Sequence, residues 1–153
     1  MFDAVDALRG WGEPVTTVSA SGATVDIANL GGFRELLICG DGLLFGGASD
    51  APGIRFSNDN GSTFISSGYE NGGSTTGNFS LSVNATTAHS FVVQVADFNT
   101  ARKPKLWGIA ARVAVATLAC WGTRATGPYN AVRLFGGLGN NFSAGTITVF
   151  GRP

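Results

Sequence analysis

The tightest grouping of residues able to do chemistry is Ser57-Asn58-Asp59-Asn60-Gly61-Ser62-Thr63-Phe64, preceded by Ile54-Arg55-Phe56 and followed by Tyr69. A carboxylate at this spacing accepts backbone N–H bonds, and a Gly two positions on supplies the positive φ of a tight turn. The expected role of Asp59 and Gly61 is therefore to hold two strands across a turn. Acid–base and nucleophilic candidates are sparse elsewhere. His89, the one histidine, heads an apolar run with no Cys, Asp or Glu at relay spacing, so no Ser-His-Asp or Cys-His pair is expected. A glycosidase-type carboxylate pair would have to come from Glu35, Asp41, Asp50, Asp59, Glu70 and Asp97, and no spacing singles out two of them. Asp41, Asp50 and Asp59 offer oxygens suited to Ca²⁺ but match no EF-hand or nonapeptide pattern. The clusters Gly40-Asp41-Gly42, Gly46-Gly47 and Gly136-Gly137-Leu138-Gly139 lack the Lys-Ser/Thr of a P-loop and read as turns. The chain is expected to be no enzyme and to carry no metal or cofactor.

Binding chemistry is better represented. Trp11, Trp107, Trp121, Tyr69 and Tyr129 have rings on which a sugar can stack, although such rings more often anchor a core or an interface. The stretch from Ser67 to Asn78 is polar and Gly-rich and is long enough to be a functional loop. Within it Tyr69, Glu70 and Asn71 combine a stacking face with hydrogen-bonding groups, and they are the expected ligand contacts. Arg102-Lys103-Pro104-Lys105 is the one basic run. With ten basic and ten acidic residues and a formal net charge of zero, the chain has no electrostatic basis for nucleic-acid or anionic-membrane binding. A neutral surface with only 13% charged residues favours association, so a homo-oligomer is expected.

The elements that must position these residues follow from composition. The chain has 153 residues, 44% of them hydrophobic, and 23 glycines, enough to bury one core. Short β-branched and aromatic runs separated by Gly, Asn, Ser and Thr predict strands near 14–20, 23–29, 33–40, 53–58, 62–67, 77–83, 88–97, 106–119, 129–135 and 145–151. Alternation is clearest where Phe91, Val93 and Val95 interleave with Val92, Gln94 and Ala96, and where Ile147 and Val149 interleave with Thr146 and Thr148. The fold expected is all-β, an antiparallel sandwich or barrel over residues 13–153. Residues 1–12 read as a short helical arm, with Asp3 and Asp6 early, Arg9 late and Gly10 as its stop. Such a helix is too short to stand alone, so Phe2, Val5 and Leu8 are expected to dock it either on its own sandwich or on a neighbouring subunit. The start has no secretory pattern, and nothing approaches a membrane span. Synthesis in a cytoplasm is expected, with Cys39 and Cys120 as small buried residues.

The 57–64 pattern is similar to the Asp box of sialidase propellers, where it recurs once per blade; one copy here implies a turn device. The whole chain resembles the small jelly-roll surface proteins of tailed bacteriophages and gene transfer agents. Two stretches carry the resemblance: Ile54 to Tyr69, and Asn130-Ala131-Val132-Arg133-Leu134-Phe135 with Gly139 to Gly151. In the second, Phe150 stands where those proteins have Tyr, and an extra Asn sits in the turn. The resemblance implies a jelly-roll-like β-sandwich and a non-enzymatic virion component, a head fibre or spike, a decoration protein or a tail tip. Its implied partners are capsid or tail proteins, copies of itself in a symmetric oligomer such as a trimer, and host surface glycan. The alternative is a free carbohydrate-binding module or lectin.

Overall fold

The computed structural model describes residues 10–47, 49–71, 74–81, 85–112, 115–118, 122–123 and 126–153, without the side chains of 71, 74, 75, 112, 115–118, 122 and 123. The expected helix, with Phe2, Val5 and Leu8, lies outside them, as do Cys120 and Trp121. The strands are β1 (Thr16–Ser19), β2 (Thr24–Ile27), β3 (Glu35–Phe45), β4 (Pro52–Ser57), β5 (Tyr69–Asn71), β6 (Ser74–Thr76), β7 (Phe79–Ser80), β8 (His89–Ala96), β9 (Lys105–Arg112), β10 (Val115–Leu118), β11 (Gly122–Thr123), β12 (Ala131–Gly136) and β13 (Phe142–Arg152). A seven-stranded sheet runs β1-β13-β3-β8-β9-β10 with β11 also on β9, a four-stranded sheet runs β2-β12-β4-β7, and β5 and β6 pair as a ribbon. Every pairing among them is antiparallel. The molecule is an all-β, jelly-roll-like antiparallel sandwich, as expected.

The core lies between the two sheets, because each contributes one phase of its alternation. Phe91, Val93 and Val95 of β8 and Ile147 and Val149 of β13 are buried, facing Ile54, Phe56, Val132 and Leu134 of the small sheet. Phe56 is its aromatic centre, with the rings of Phe98, Tyr129 and Phe79 at centroid distances of 5.3, 5.4 and 5.5 Å. These edge and tilted arrangements put ring edges against ring faces, which the quadrupole favours. His89 is buried too, edge-on to Phe45 at 5.8 Å.

Four expectations change. The segment expected as one strand over 106–119 doubles back: Val115 pairs with Arg112 and Leu118 with Ile109. The strand expected over 33–40 runs on to Phe45, since β3 continues through Leu43 and Phe45 into the core. The loop expected at 67–78 is largely the β5–β6 ribbon. No strand forms over 62–67; there the chain gives β4 one backbone bond, Ile65 N–H to Phe56 O at 3.0 Å, and turns away.

In β13 the register against β3 shifts on both sides of Ala144. Gly145 has a φ of 108°, and a Cβ there would lie 2.7 Å from the Leu43 Cα. The break at Ala144-Gly145 is therefore a bulge that only glycine permits.

Candidate functional site

The 57–64 turn is built as its residue types dictate. The Asp59 carboxylate accepts from the Ser57 hydroxyl at 2.6 Å and from the Thr63 N–H and hydroxyl at 2.8 and 2.6 Å. Ser57 Oγ in turn accepts from the N–H groups of Asp59 and Gly61 at 3.2 and 2.9 Å, and Gly61 takes a φ of 92°. The bonds from the Ser57 hydroxyl and from Thr63 hold the Asp59 carboxyl at about 2. Asn60 extends the clamp: its side chain accepts from the Asn29 N–H at 2.7 Å and donates to the Asn29 side chain at 2.8 Å, while its own N–H donates to the Asn130 side chain at 2.8 Å. The turn thus ties three chain segments at one end of the sandwich. Its carboxylate is occupied by structure.

The expected ligand contacts divide. Tyr69 is fully buried, and its hydroxyl accepts from the Phe56 N–H at 2.7 Å, so its ring belongs to the core and offers no stacking face. That bond and the one from Ile65 satisfy both backbone groups of Phe56 on the side of β4 that β7 does not reach. Glu70 is exposed on the ribbon, and Asn71 contributes backbone pairing to Ser74. Of the other candidate platforms, Trp11 and Tyr129 are buried, and Trp107 keeps 37% of its surface exposed.

Trp107 stands on a surface that the sequence reading did not assemble. On the outer face of the large sheet, register places Thr148, Cys39, Val92 and Ile109 in one row across β13, β3, β8 and β9. Phe150, Leu37, Gln94 and Trp107 form the next row. Val92 is 48% exposed and Ile109 63%. A groove of about 690 Å³ runs over Leu37, Cys39, Val92, Gln94, Trp107 and Ile109. Asp41 and Ser90 close one end, where the Ser90 hydroxyl donates to Asp41 at 3.0 Å and accepts from the Gly42 N–H at 3.2 Å. The signal was present in β8, where Val92 occupies a phase that a solvated sheet face fills with polar residues. An apolar row open to water is a surface for contact.

The one buried carboxylate among the described residues, Asp50, is also committed. It accepts from the N–H groups of Ala51, Leu138 and Asn140 at 2.7, 2.9 and 3.0 Å and from the Asn140 side chain at 3.1 Å. Burial pushes its carboxyl up, but the three backbone donors and the Asn140 amide together outweigh that and hold it below the usual range. With its oxygens facing N–H donors, Asp50 is no cation ligand.

No protein-family model matches the chain, and no curated protein sequence matches it. Among solved structures it is similar to the galectin LEC-6 of Caenorhabditis elegans, at 9% identity and a TM-score of 0.42, over 87% of this chain and 94% of the galectin. It is similar also to an alginate lyase from Alteromonas sp. 272, at 10% identity and a TM-score of 0.30, over 91% of this chain and 88% of the lyase. With scores this low, neither likeness assigns the chain a ligand or a reaction.

Proposed function

We propose that the chain is a non-enzymatic structural protein of a tailed-phage or gene-transfer-agent particle, docking on capsid or tail through the outer face of its seven-stranded sheet. The observation that carries this reading is the open apolar patch of Val92, Ile109 and Trp107 on a chain of zero net charge. Removing such side chains from water favours association by about 25 cal/mol per Å² of apolar surface, with no charge to oppose it. The resemblance over 54–69 and 130–151 supports the same reading, and in the fold β12 of the second stretch pairs with β4 of the first over six residue pairs from Ala131 to Gly136, while β13 lies in the large sheet. The reading as a non-enzyme is supported by His89 lying in the core and by Asp50 and Asp59 being engaged in holding turns. In this reading copies of the chain meet as a homo-oligomer on the particle.

The test is to purify particles from cells that carry the gene and look for the chain by mass spectrometry and immunogold labelling. The chain is expected on the particle surface, and Val92→Asp with Ile109→Asp is expected to leave it folded in the soluble fraction. Particles lacking the wild-type chain would overturn the reading.

A second reading, a free carbohydrate-binding module, is favoured by one feature: Gln94 sits directly beside the exposed Trp107 ring, the pairing of platform and hydrogen-bonding group that a sugar requires. It predicts glycan binding that Trp107→Ala removes, with no particle association.

A further inference from the structure

We infer that Arg55, on the outer face of the four-stranded sheet, is a receptor for the carboxylate of an acidic sugar. The site lies on the opposite side of the sandwich from the proposed docking face and does not rest on that reading.

Alternation sets its position. Ile54 and Phe56 of β4 and Val132 and Leu134 of β12 are fully buried in the core, so Arg55 and Arg133 between them point outward. The register sets these arginines directly opposite each other. Like charges so placed on neighbouring strands cost stability unless something neutralises them. Arg133 is neutralised from its other side by Asp26, whose carboxylate accepts from Arg133 Nε and Nη2 at 2.7 Å each. Among the described residues no carboxylate pairs with Arg55. The row of Asp26, Arg133 and Arg55 thus keeps one positive charge uncompensated.

Arg55 is also held in place. Its Nε donates to the Gly77 carbonyl at 2.8 Å, and its guanidinium lies over the Phe135 ring at 4.5 Å. One bond and one ring fix the plane of the fork, while its Nη groups meet no acceptor among the described residues. A Cβ at residue 77 would lie 3.6 Å from Arg55 Nη2, so glycine there leaves that nitrogen uncovered. A guanidinium fixed in this way gives up little side-chain freedom on binding, and being half-buried it is screened less than a charge in open water.

The ligand follows from the charge and its surroundings. A planar fork matches a carboxylate or a phosphate. One uncompensated charge on a chain of zero net charge balances a single carboxylate, and neither a phosphate group with nearly twice the charge nor a run of acidic side chains. The neighbouring groups are polar and neutral: the Asn78 amide lies over Gly53, and exposed Ser80 pairs with Gly53 in register. One cation beside an amide and a hydroxyl suits a ring that carries one carboxylate among several hydroxyls, as a uronic acid does.

The test follows the Arg55 Nε–H resonance of the ¹⁵N-labelled chain at mildly acidic pH and constant ionic strength, titrated separately with D-glucuronate, D-glucose, acetate and N-acetylglutamate amide. Glucuronate is expected to shift that resonance saturably and several-fold more tightly than acetate, and glucose to leave it unmoved. Arg55→Lys keeps the charge without the fork and is expected to weaken glucuronate binding about tenfold, and Arg55→Gln to abolish it, read by calorimetry on variants with an unchanged far-UV circular dichroism spectrum. No saturable shift at Arg55 with glucuronate would overturn the inference. Equal binding of acetate, or tighter binding of the glutamate derivative, would also overturn it, by showing a site for carboxylates in general or for acidic peptides. The ligand comparison on the wild-type chain stands without any variant, and particle association does not enter it, so this inference and the proposed function fail separately.

Discussion

Asp59 takes three hydrogen bonds while its carboxylate stays open to solvent, so its contribution to stability is set by protonation. Its folded-state value of about 2 lies below the ordinary 3.8. The folded state therefore favours the ionised form, a contribution that is complete above about pH 4 and lost as pH falls towards about 2. Asp59→Ala is expected to lower the melting temperature at neutral pH, with the gap to wild type closing over that interval in melts recorded at successive pH values. A gap that stays constant down to pH 2 would mean that ionisation of Asp59 does not support the turn. The role of this residue was legible because Ser, Asp, Gly and Thr at fixed offsets specify a turn through local bonds. Tyr69 was not legible in the same way. A tyrosine set among Gly, Ser and Asn reads as exposed, and what buries it is the open edge of β4, where its hydroxyl meets the Phe56 N–H 13 residues back in the chain.

Strands declare themselves where alternation is strict, as in β8 and β13, and the ends and turns between them depend on partners that the sequence does not display. The reversal between β9 and β10 has no Gly, Pro, Asn or Asp between Arg112 and Val115, so nothing local announces it. The connection from β12 to β13, which crosses from the small sheet to the large one, reads as a turn from its glycines, with Gly139 N–H donating to Gly136 O at 2.9 Å, yet its main support comes from 88 residues earlier. Asp50 lies in an isolated bridge with Ala85 and sends its carboxylate into the loop between β12 and β13. Replacing it with alanine leaves the N–H groups of Leu138 and Asn140 without their acceptor in a site where Asp50 is fully buried. Asp50→Ala is expected to destabilise the fold by roughly 2–4 kcal/mol, the range for several orphaned donors, measured by guanidinium denaturation. Asp50→Asn, which presents an NH₂ to those donors, is expected to recover only part of the loss. Wild-type stability in both variants would show that solvent satisfies the loop equally well.

At the scale of the whole molecule two properties act together: a formal net charge of zero with a pI near 6.5, and one sheet face with an apolar outer row. The sandwich class was legible from composition, whereas the position of the apolar face was not, because it needs the register of β3, β8 and β9 to bring Cys39, Val92 and Ile109 side by side. Charge and face make different demands on solubility. Net charge sets the pH of least solubility, since repulsion between molecules vanishes at the isoelectric point. Apolar contact sets how low that minimum falls, and it persists in salt, where charge effects are screened. The wild-type chain is expected to be least soluble near pH 6.5. Val92→Lys with Ile109→Lys adds two positive charges to a formal net charge of zero and removes two of the exposed aliphatic side chains. If charge alone governed association, the minimum would move to higher pH at unchanged depth. The expected result is a shift together with a higher solubility at the variant's own minimum, retained at high salt, in polyethylene glycol precipitation curves recorded across pH. A shift without any gain at the minimum would remove the outer face from the account of how this molecule associates.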